Sequence, residues 1–166
     1  MNWYEGWGGY MVLMRSVYSK LFPELDNILS LDLDTIVTED ISNLWDLDMT
    51  NYYVAGVRDT PEFNKNGLYV NGGVLFYNLK KIRQDKRDEQ MIFRINHYRE
   101  EYAEQDILNK VYKDHILELP SEYNSHPLFV GYDPNKRKII HYAGFHDYFF
   151  TEPLVRYYNN LKWEDL

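Results

Sequence analysis

The chain has 166 residues, of which 45% are hydrophobic and 27% charged, and it contains no cysteine. This composition is typical of one globular domain and excludes disulfide scaffolds, cysteine-ligated zinc sites and thiol catalysis. The formal net charge of -8 argues against binding to nucleic acid, and no apolar stretch approaches the ~20 residues of a membrane helix. The first residues do not have the pattern of a secretory leader. We therefore expect a single domain over residues 1–166 in a reducing cytoplasm.

Predicted strands and helices alternate along the chain. Apolar runs and Pro and Gly breaks predict strands at 28–31, 35–37, 52–57, 73–77, 116–119 and 138–141. Helices are predicted at 12–21, 40–45, 80–84, 88–103, 105–112 and 153–161. The alternation predicts an α/β fold, in which helices cover both faces of a mixed sheet. Ligands of such sheets bind beyond the carboxyl ends of strands, which is where candidate site residues are sought.

The chain contains two Asp-x-Asp triplets, about as many as its aspartate content predicts by chance. Asp32 and Asp34 follow a predicted buried strand, where carboxylates are costly unless a cation or hydrogen bonds compensate them. Asp46 and Asp48 follow an amphipathic helix, so we expect them to face water. Asp32 and Asp34 are therefore candidate ligands of Mn²⁺ or Mg²⁺, and the alternative is a strand-end turn with solvated acids.

One histidine and one glycine-containing segment add further candidates. His141 ends the last predicted strand, and Gly144 after it would let the backbone approach an anionic ligand. A strand-end histidine is also commonly a packed or capping residue. Asn71, beside Gly72 and Gly73, has an amide that can pair with hydroxyl groups, although an ordinary turn before a strand explains this segment equally well.

An acidic segment begins the helix predicted near residue 105. Glu104 and Asp106 lie in its first turn, where negative charge complements the helix dipole, and this alone could explain them. Gln105 between them gains no such benefit, but an exposed glutamine is common. These residues are candidates whose role the local sequence leaves open.

Together these segments resemble glycosyltransferase family 8, which includes glycogenin and bacterial lipopolysaccharide galactosyl- and glucosyltransferases. The matching segments, in the same order as in the family, are residues 31–37 (LDLDTIV), 40–46 (DISNLWD), 70–81 (VNGGVLFYNLKK), 104–109 (EQDILN) and 141–144 (HYAG). The match extends from about residue 11 to residue 144. Each motif is weak alone, but their common order is specific.

The resemblance implies a GT-A fold, which is Rossmann-like, and a retaining, metal-dependent transfer of a hexose from a UDP-sugar to a carbohydrate or glycolipid acceptor. Asp32, Asp34 and His141 would hold Mn²⁺ (or Mg²⁺) against the diphosphate.

Roles for the remaining residues also follow from the resemblance. Gln105, assigned with Asp106 as catalytic, would lie beside the anomeric carbon, and Glu104 and Asp106 would orient the donor sugar. The residues expected to bind substrate are Arg15, Asn71, Gly72, Glu104 and Gly144.

The sequence departs from the family in two important ways. Family members carry a substantial segment before this point, which supplies the first nucleotide-binding strands, whereas only residues 1–10 precede the matching helix here. A lysine that often follows the last motif is replaced by Phe145, His146 and Asp147. We therefore expect a shortened GT-A-like domain that lacks most of those strands.

The expected loss of strands suggests partners and alternative functions. An open sheet edge invites self-association, or a partner chain that completes the sheet. One alternative function is an inactive module that binds a nucleotide sugar or a carbohydrate. Another is a folded fragment of a split glycosyltransferase. Tyr157, Tyr158 and Trp163 lie near the end of the chain. They leave two further possibilities open, which are contact with an acceptor and peripheral contact with a membrane.

Overall fold

A four-stranded sheet lies at the centre of the computed structural model, which describes residues 13–144 and Pro153. The strands are β1 (Asn27–Leu31), β2 (Thr35–Val37), β3 (Val54–Arg58), β4 (Val70–Asn78), β5 (Ile116–Leu119) and β6 (Ile139–His141). The helices are α1 (Tyr18–Leu21), α2 (Leu79–Gln84), α3 (Arg87–His97) and α4 (Ala103–Val111). Short 3₁₀ helices span Met14–Val17, Ser42–Asp46, Phe63–Asn66 and Ser121–Asn124. The predicted α/β class with a mixed sheet is confirmed.

The main sheet has the strand order β1-β4-β3-β5. β4 runs antiparallel to β1 and β3, and β5 runs parallel to β3. Because β4 runs against its neighbours, its first residues lie at the edge where β1 and β3 end. Asp32 after β1, Asp59 after β3 and Asn71 near the start of β4 therefore meet at one edge of the sheet.

Two apolar clusters cover the two faces of the sheet, because neighbouring residues of a strand point to opposite faces. In β4, Leu75 and Tyr77 pack on the side of α2, α3 and α4, where Met91 and Ile107 are also buried. Phe76 between them faces the other side. There the cover comes from 3₁₀ helices and connecting segments, represented by Leu44, Met49, Tyr123 and Phe129. Helical segments thus cover both faces, as predicted, but the α-helices described here all lie on one of them.

A second, two-stranded sheet pairs β2 with β6 in antiparallel register, with Thr35 opposite His141. The turn between β1 and β2 is held from both sides. The Asp32 N–H donates to the Gly73 carbonyl oxygen at 2.7 Å, and the Tyr142 N–H donates to the Asp34 carbonyl oxygen at 3.0 Å. This register brings the end of β6 to the Asp-x-Asp turn.

Three predicted helices differ from the structure, and the one expected over 40–45 is the 3₁₀ helix Ser42–Asp46. The helix expected over 12–21 is divided into a 3₁₀ turn and α1, which meet at Val17, whose φ of -123° is not helical. The helix expected over 88–103 ends at His97, since Tyr98 is extended and Ala103 adopts a left-handed φ of 47°. The apolar spacing continues through Tyr98 and Tyr102, so hydrophobic periodicity alone predicts one continuous helix. The break after His97 separates this helix from α4.

Asp46 and Asp48 are exposed, as predicted. The irregular stretch expected over residues 1–10, and the terminal helix expected over 153–161 apart from Pro153, lie outside the described residues. Within 13–144, none of the helices has the length and apolar content to cross a bilayer.

Candidate active site

The structure brings together the three residues that the sequence predicts as metal ligands. His141 Nε2 lies 3.4 Å from Asp34 Oδ1 and 3.8 Å from Asp32 Oδ2. One oxygen or nitrogen atom from each of the three side chains lies within 4.8 Å of the others. Two carboxylates and one imidazole at this separation fit a divalent cation such as Mn²⁺ or Mg²⁺. Their role as ligands stays a prediction.

A glycine is required beneath His141. A Cβ atom added at Gly73 would lie 2.6 Å from His141 Nδ1 and 2.8 Å from His141 Nε2, closer than real Cβ contacts allow. Gly73 therefore gives the imidazole room to lie against the backbone of β4. At Gly72 an added Cβ would lie 3.2 Å from Gln105 Oε1 and 3.4 Å from Arg15 Nη1, a much milder crowding.

Arg15 links the carboxylate cluster to β4. Its Nη2 donates a hydrogen bond to Asp32 Oδ1, and its Nη1 donates to the Gly72 carbonyl oxygen at 2.6 Å. Nη1 also lies 3.9 Å from Glu104 Oε2. Burial lowers the pKa of Arg15, but the negative charges of Glu104 and Asp32 outweigh it and raise the pKa overall, so the guanidinium stays charged.

Glu104 is buried beneath Arg15, with 1% of its surface exposed. Burial raises the pKa of Glu104 to about 7; Arg15 opposes this shift, and the charge of Asp32 adds to it. Glu104 Oε1 has no hydrogen-bond partner among the described residues. The carboxyl group is therefore a buried ionisable group at near-neutral pH. Its predicted contact with a donor sugar stays a prediction.

The amide of Gln105 is held on both sides by hydrogen bonds. Its Oε1 accepts from the Gly72 N–H at 2.7 Å, and its Nε2 donates to Asp59 Oδ2 at 3.0 Å. Nε2 also lies 3.3 Å from the Tyr69 hydroxyl oxygen. The Gly72 carbonyl accepts from Arg15 and the Gly72 N–H donates to Gln105, so a single residue links the carboxylate cluster to this amide.

Asn71 occupies the centre of the same network. Its Oδ1 accepts from the Gly73 N–H at 2.8 Å and from Asn124 Nδ2 at 3.0 Å. Its Nδ2 donates to Asp59 Oδ2 at 3.1 Å and lies 3.4 Å from Gln105 Oε1. The amide can make four hydrogen bonds, and all four are directed to protein atoms. The predicted contact of Asn71 with substrate hydroxyls stays a prediction, and these bonds give the side chain a structural role in any case.

Asp106 also pairs with neighbouring protein groups. Its Oδ1 accepts from the Tyr69 hydroxyl at 2.6 Å, and its Oδ2 accepts from the Tyr102 N–H at 3.0 Å. The carboxylate therefore connects the start of α4 with Tyr69, next to Gln105. Its catalytic assignment stays a prediction.

Gly144 adopts a left-handed φ of 74°, which favours glycine, and a Cβ added there would meet nothing within 4 Å. The segment before it is held by His126, whose Nε2 lies 3.1 Å from the Ala143 carbonyl oxygen. Burial lowers the pKa of His126, so this imidazole is mainly neutral at pH 7. The substrate contact predicted for Gly144 stays a prediction. Residues 145–147, where the family lysine is absent, lie outside the described residues.

Sequence reasoning missed Asp59, Tyr69 and Asn124. Asp59 follows β3 as Asp32 follows β1, so the argument from strand ends could have found it. Tyr69 is one of 16 tyrosines, and nothing local distinguishes it. Asn124 lies in a 3₁₀ helix far from every motif, and only the folded chain brings it to His141.

The site thus consists of a carboxylate and imidazole cluster at the end of a mixed sheet, next to a fixed amide. The model of glycosyl transferase family 8 matches residues 6–146, and the chain belongs to this family.

Three known proteins illustrate the similarity. The chain is 28% identical to the lipopolysaccharide 1,2-glucosyltransferase of Escherichia coli K12, over 93% of this chain and 57% of that protein. The crystal structure of the glycosyltransferase GlyE from Streptococcus pneumoniae TIGR4 is 30% identical, with a TM-score of 0.61, over 90% of this chain and 36% of GlyE. The galactosyltransferase LgtC, solved with donor and acceptor sugar analogues, is 23% identical with a TM-score of 0.68, over 79% of this chain and 57% of LgtC.

The fold is therefore of the GT-A type, as the resemblance implied. The chain spans between about a third and just over half of the length of these three proteins. The activity of those whole proteins is therefore a proposal for this chain.

Proposed function

We propose that this chain is a metal-dependent, retaining hexosyltransferase that uses a UDP-sugar and transfers the hexose to a carbohydrate or glycolipid acceptor. The observation that supports it is the convergence of Asp32, Asp34 and His141 beside the oriented amide of Gln105. The first group has the donor set for a divalent cation, and the second presents a polar group suited to the sugar. Membership in family 8 supports the same chemistry.

In this proposal Asp32, Asp34 and His141 hold Mn²⁺ (or Mg²⁺). When bound, the metal would act as a Lewis acid that neutralises the charge of the diphosphate leaving group. Arg15 keeps Asp32 oriented through its hydrogen bond and adds a fixed positive charge at the same edge. Glu104 lies behind Arg15 and fixes the position of the guanidinium.

The proposed reaction breaks the bond between the anomeric carbon and the phosphate oxygen. The new bond to the acceptor oxygen forms on the same face of the sugar, and the acceptor hydroxyl proton passes to the departing phosphate oxygen. Gln105 would stabilise the positive charge that develops at the anomeric carbon, because its carbonyl oxygen is a fixed dipole that needs no reorganisation. Asp59 and Gly72 hold this dipole in one orientation.

The test is incubation with UDP-glucose or UDP-galactose, with and without Mn²⁺, and detection of released UDP. Turnover that depends on Mn²⁺ supports the proposal, and proton NMR of the product should give the same anomeric configuration as the donor. Binding of the nucleotide sugar by calorimetry without turnover would favour the inactive binding module instead. Neither binding nor turnover would favour a fragment of a longer or split enzyme.

A partner for the sheet edge belongs to the same proposal. In the part of the chain that the structure describes, β1 pairs with β4 on one side, and Leu31 on this strand is exposed. A strand edge with free N–H and carbonyl groups pairs readily with another strand. We expect self-association or a partner chain at β1. Size-exclusion chromatography with light scattering checks it, and a monomer at all concentrations would count against self-association.

The proposed location is the cytoplasm, and peripheral contact with a membrane is the alternative left open. Cell fractionation of the native protein tests this part separately.

A further inference from the structure

A buried asparagine outside all the sequence motifs joins the carboxylate cluster to the amide network. Asn124 is fully buried, at 0% exposure. Its Oδ1 lies 2.8 Å from His141 Nδ1, and its Nδ2 donates to Asn71 Oδ1 at 3.0 Å. Backbone bonds hold the residue after it on β6, since the Ser125 N–H donates to the Ile139 carbonyl and the Ser125 carbonyl accepts from the His141 N–H.

The backbone N–H of Gly73 fixes which atom donates and which accepts in these hydrogen bonds. The Gly73 N–H can only donate, so the atom of Asn71 that faces it at 2.8 Å is the carbonyl oxygen. That same oxygen faces Asn124, so Asn124 presents its NH₂ group there. The oxygen of Asn124 must then face His141, and an amide oxygen can only accept. Nδ1 of His141 therefore carries a hydrogen.

The hydrogen on Nδ1 decides what the other ring nitrogen can do. In the neutral imidazole, Nε2 then keeps its lone pair, and Nε2 is the atom that faces Asp34 at 3.4 Å and Asp32 at 3.8 Å. Only this tautomer can give a lone pair to a cation between them. Hydrogen bonds of this kind to a ligating histidine fix its ring and typically change metal affinity 10–100-fold.

We propose that Asn124 is a positioning residue, which sets the metal-binding tautomer of His141 and couples that ring to Asn71. The coupling continues from Asn71 through Asp59 to Gln105, so the metal side and the sugar side of the site share one chain of hydrogen bonds. The inference rests on the proposed function for its catalytic consequence, but not for the tautomer itself.

Two substitutions separate the two bonds of Asn124. Asn124→Leu has a similar volume and removes both bonds. Asn124→Asp keeps an oxygen toward His141 Nδ1 but places a second oxygen against Asn71 Oδ1. We expect Asn124→Leu to lose Mn²⁺ affinity at least ten-fold by calorimetry. We expect Asn124→Asp to stay within about three-fold of the wild type in affinity, while its turnover falls roughly ten-fold or more because Asn71 is displaced.

Asn109→Leu is the matched control. Asn109 is another buried asparagine, and it bonds the backbone of Val70 rather than His141. It should lose stability, measured by thermal unfolding, and retain Mn²⁺ affinity. A folded Asn124→Leu protein with unchanged Mn²⁺ affinity would overturn the proposal.

The tautomer is measured independently in the metal-free protein. Nitrogen-15 NMR of the imidazole, assigned with His141→Gln and recorded at a pH where the ring is neutral, should show the hydrogen on Nδ1 in the wild type. A neutral ring with its hydrogen on Nε2 overturns the proposal even if Asn124→Leu does not fold. This readout needs neither Mn²⁺ nor a sugar. Absence of Mn²⁺ binding or turnover in the wild type, with hydrogen on Nδ1, would therefore overturn the proposed function and leave the role of Asn124 supported.

Discussion

The carboxylate cluster and the amide network lie side by side but are built on opposite principles. The cluster brings one ligand atom each of Asp32, Asp34 and His141 within 4.8 Å, so it places two negative carboxylates close together. The network around Asn71 matches each amide donor to an acceptor. Bringing like charges together costs free energy, which a bound cation offsets. Matched hydrogen bonds, in contrast, stabilise the fold without a ligand. Substitutions in the cluster should therefore change ligand binding, and substitutions at network residues that do not contact His141 should mainly change stability.

The largest effect is expected for Asp34→Asn. The change removes one charged ligand and should lower Mn²⁺ affinity about 100-fold or more, since even indirect partners of a ligand account for 10–100-fold. The melting temperature should stay the same or rise, because two nearby carboxylates no longer repel each other. Calorimetry and thermal unfolding measure the two quantities. Asp48→Asn, on an exposed acid, is the control. Unchanged affinity in Asp34→Asn would refute the metal site.

Gly73→Ala tests whether the cluster depends on the space beneath His141. The added methyl group would collide with the ring, so the imidazole must move away from Asp32 and Asp34. We expect a loss of Mn²⁺ affinity of about 10–100-fold and a loss of stability of about 1–3 kcal/mol. Gly72→Ala, where the crowding is milder, should spare Mn²⁺ affinity. Equal effects of the two substitutions would argue against this account of Gly73.

Glu104→Gln tests the buried acid that lies between the two regions. Because burial raises the pKa of Glu104 from 4.5 to about 7, the folded state holds a proton that the unfolded state has lost. Its contribution to stability is thus fully present below pH 4.5 and is lost as the pH rises through about 7.

From pH 5 to pH 8, the free energy of unfolding of the wild type should fall by about 2 kcal/mol relative to Glu104→Gln. Urea unfolding at several pH values measures the difference. A constant difference across this range would mean that the pKa of Glu104 is not raised.

The smallest effect is expected for Asp59→Ala. The change leaves the donors of Asn71 and Gln105 without their shared acceptor, which should cost about 1–2 kcal/mol of stability. Mn²⁺ affinity should stay within about three-fold, because Asp59 touches none of the three cluster residues through a direct bond. Urea unfolding and calorimetry check both points. A large loss of Mn²⁺ affinity with unchanged stability would reverse the comparison between the two regions.

Much of this protein was predictable from its sequence. The apolar runs 28–31 and 116–119 predicted the strands β1 and β5, but β1 is not the buried strand that was expected, since Ser30 is its only buried residue. The order of the motifs predicted the family, and the strand-end position of Asp32 and Asp34 distinguished them from Asp46 and Asp48.

Only the tertiary structure decided how the polar groups pair. The register between β2 and β6 brings His141 to the Asp-x-Asp turn, and the bridge of Ser125 to β6 places Asn124 against the ring. The extended Tyr98 ends the apparent helix, and α4 begins at the left-handed Ala103, two residues before Gln105, which bonds Gly72. The physical reason is that periodicity reports which residues are buried along one element. Whether two distant segments form a hydrogen bond depends instead on strand register and on local space. An example is the space that Gly73 leaves for the ring of His141.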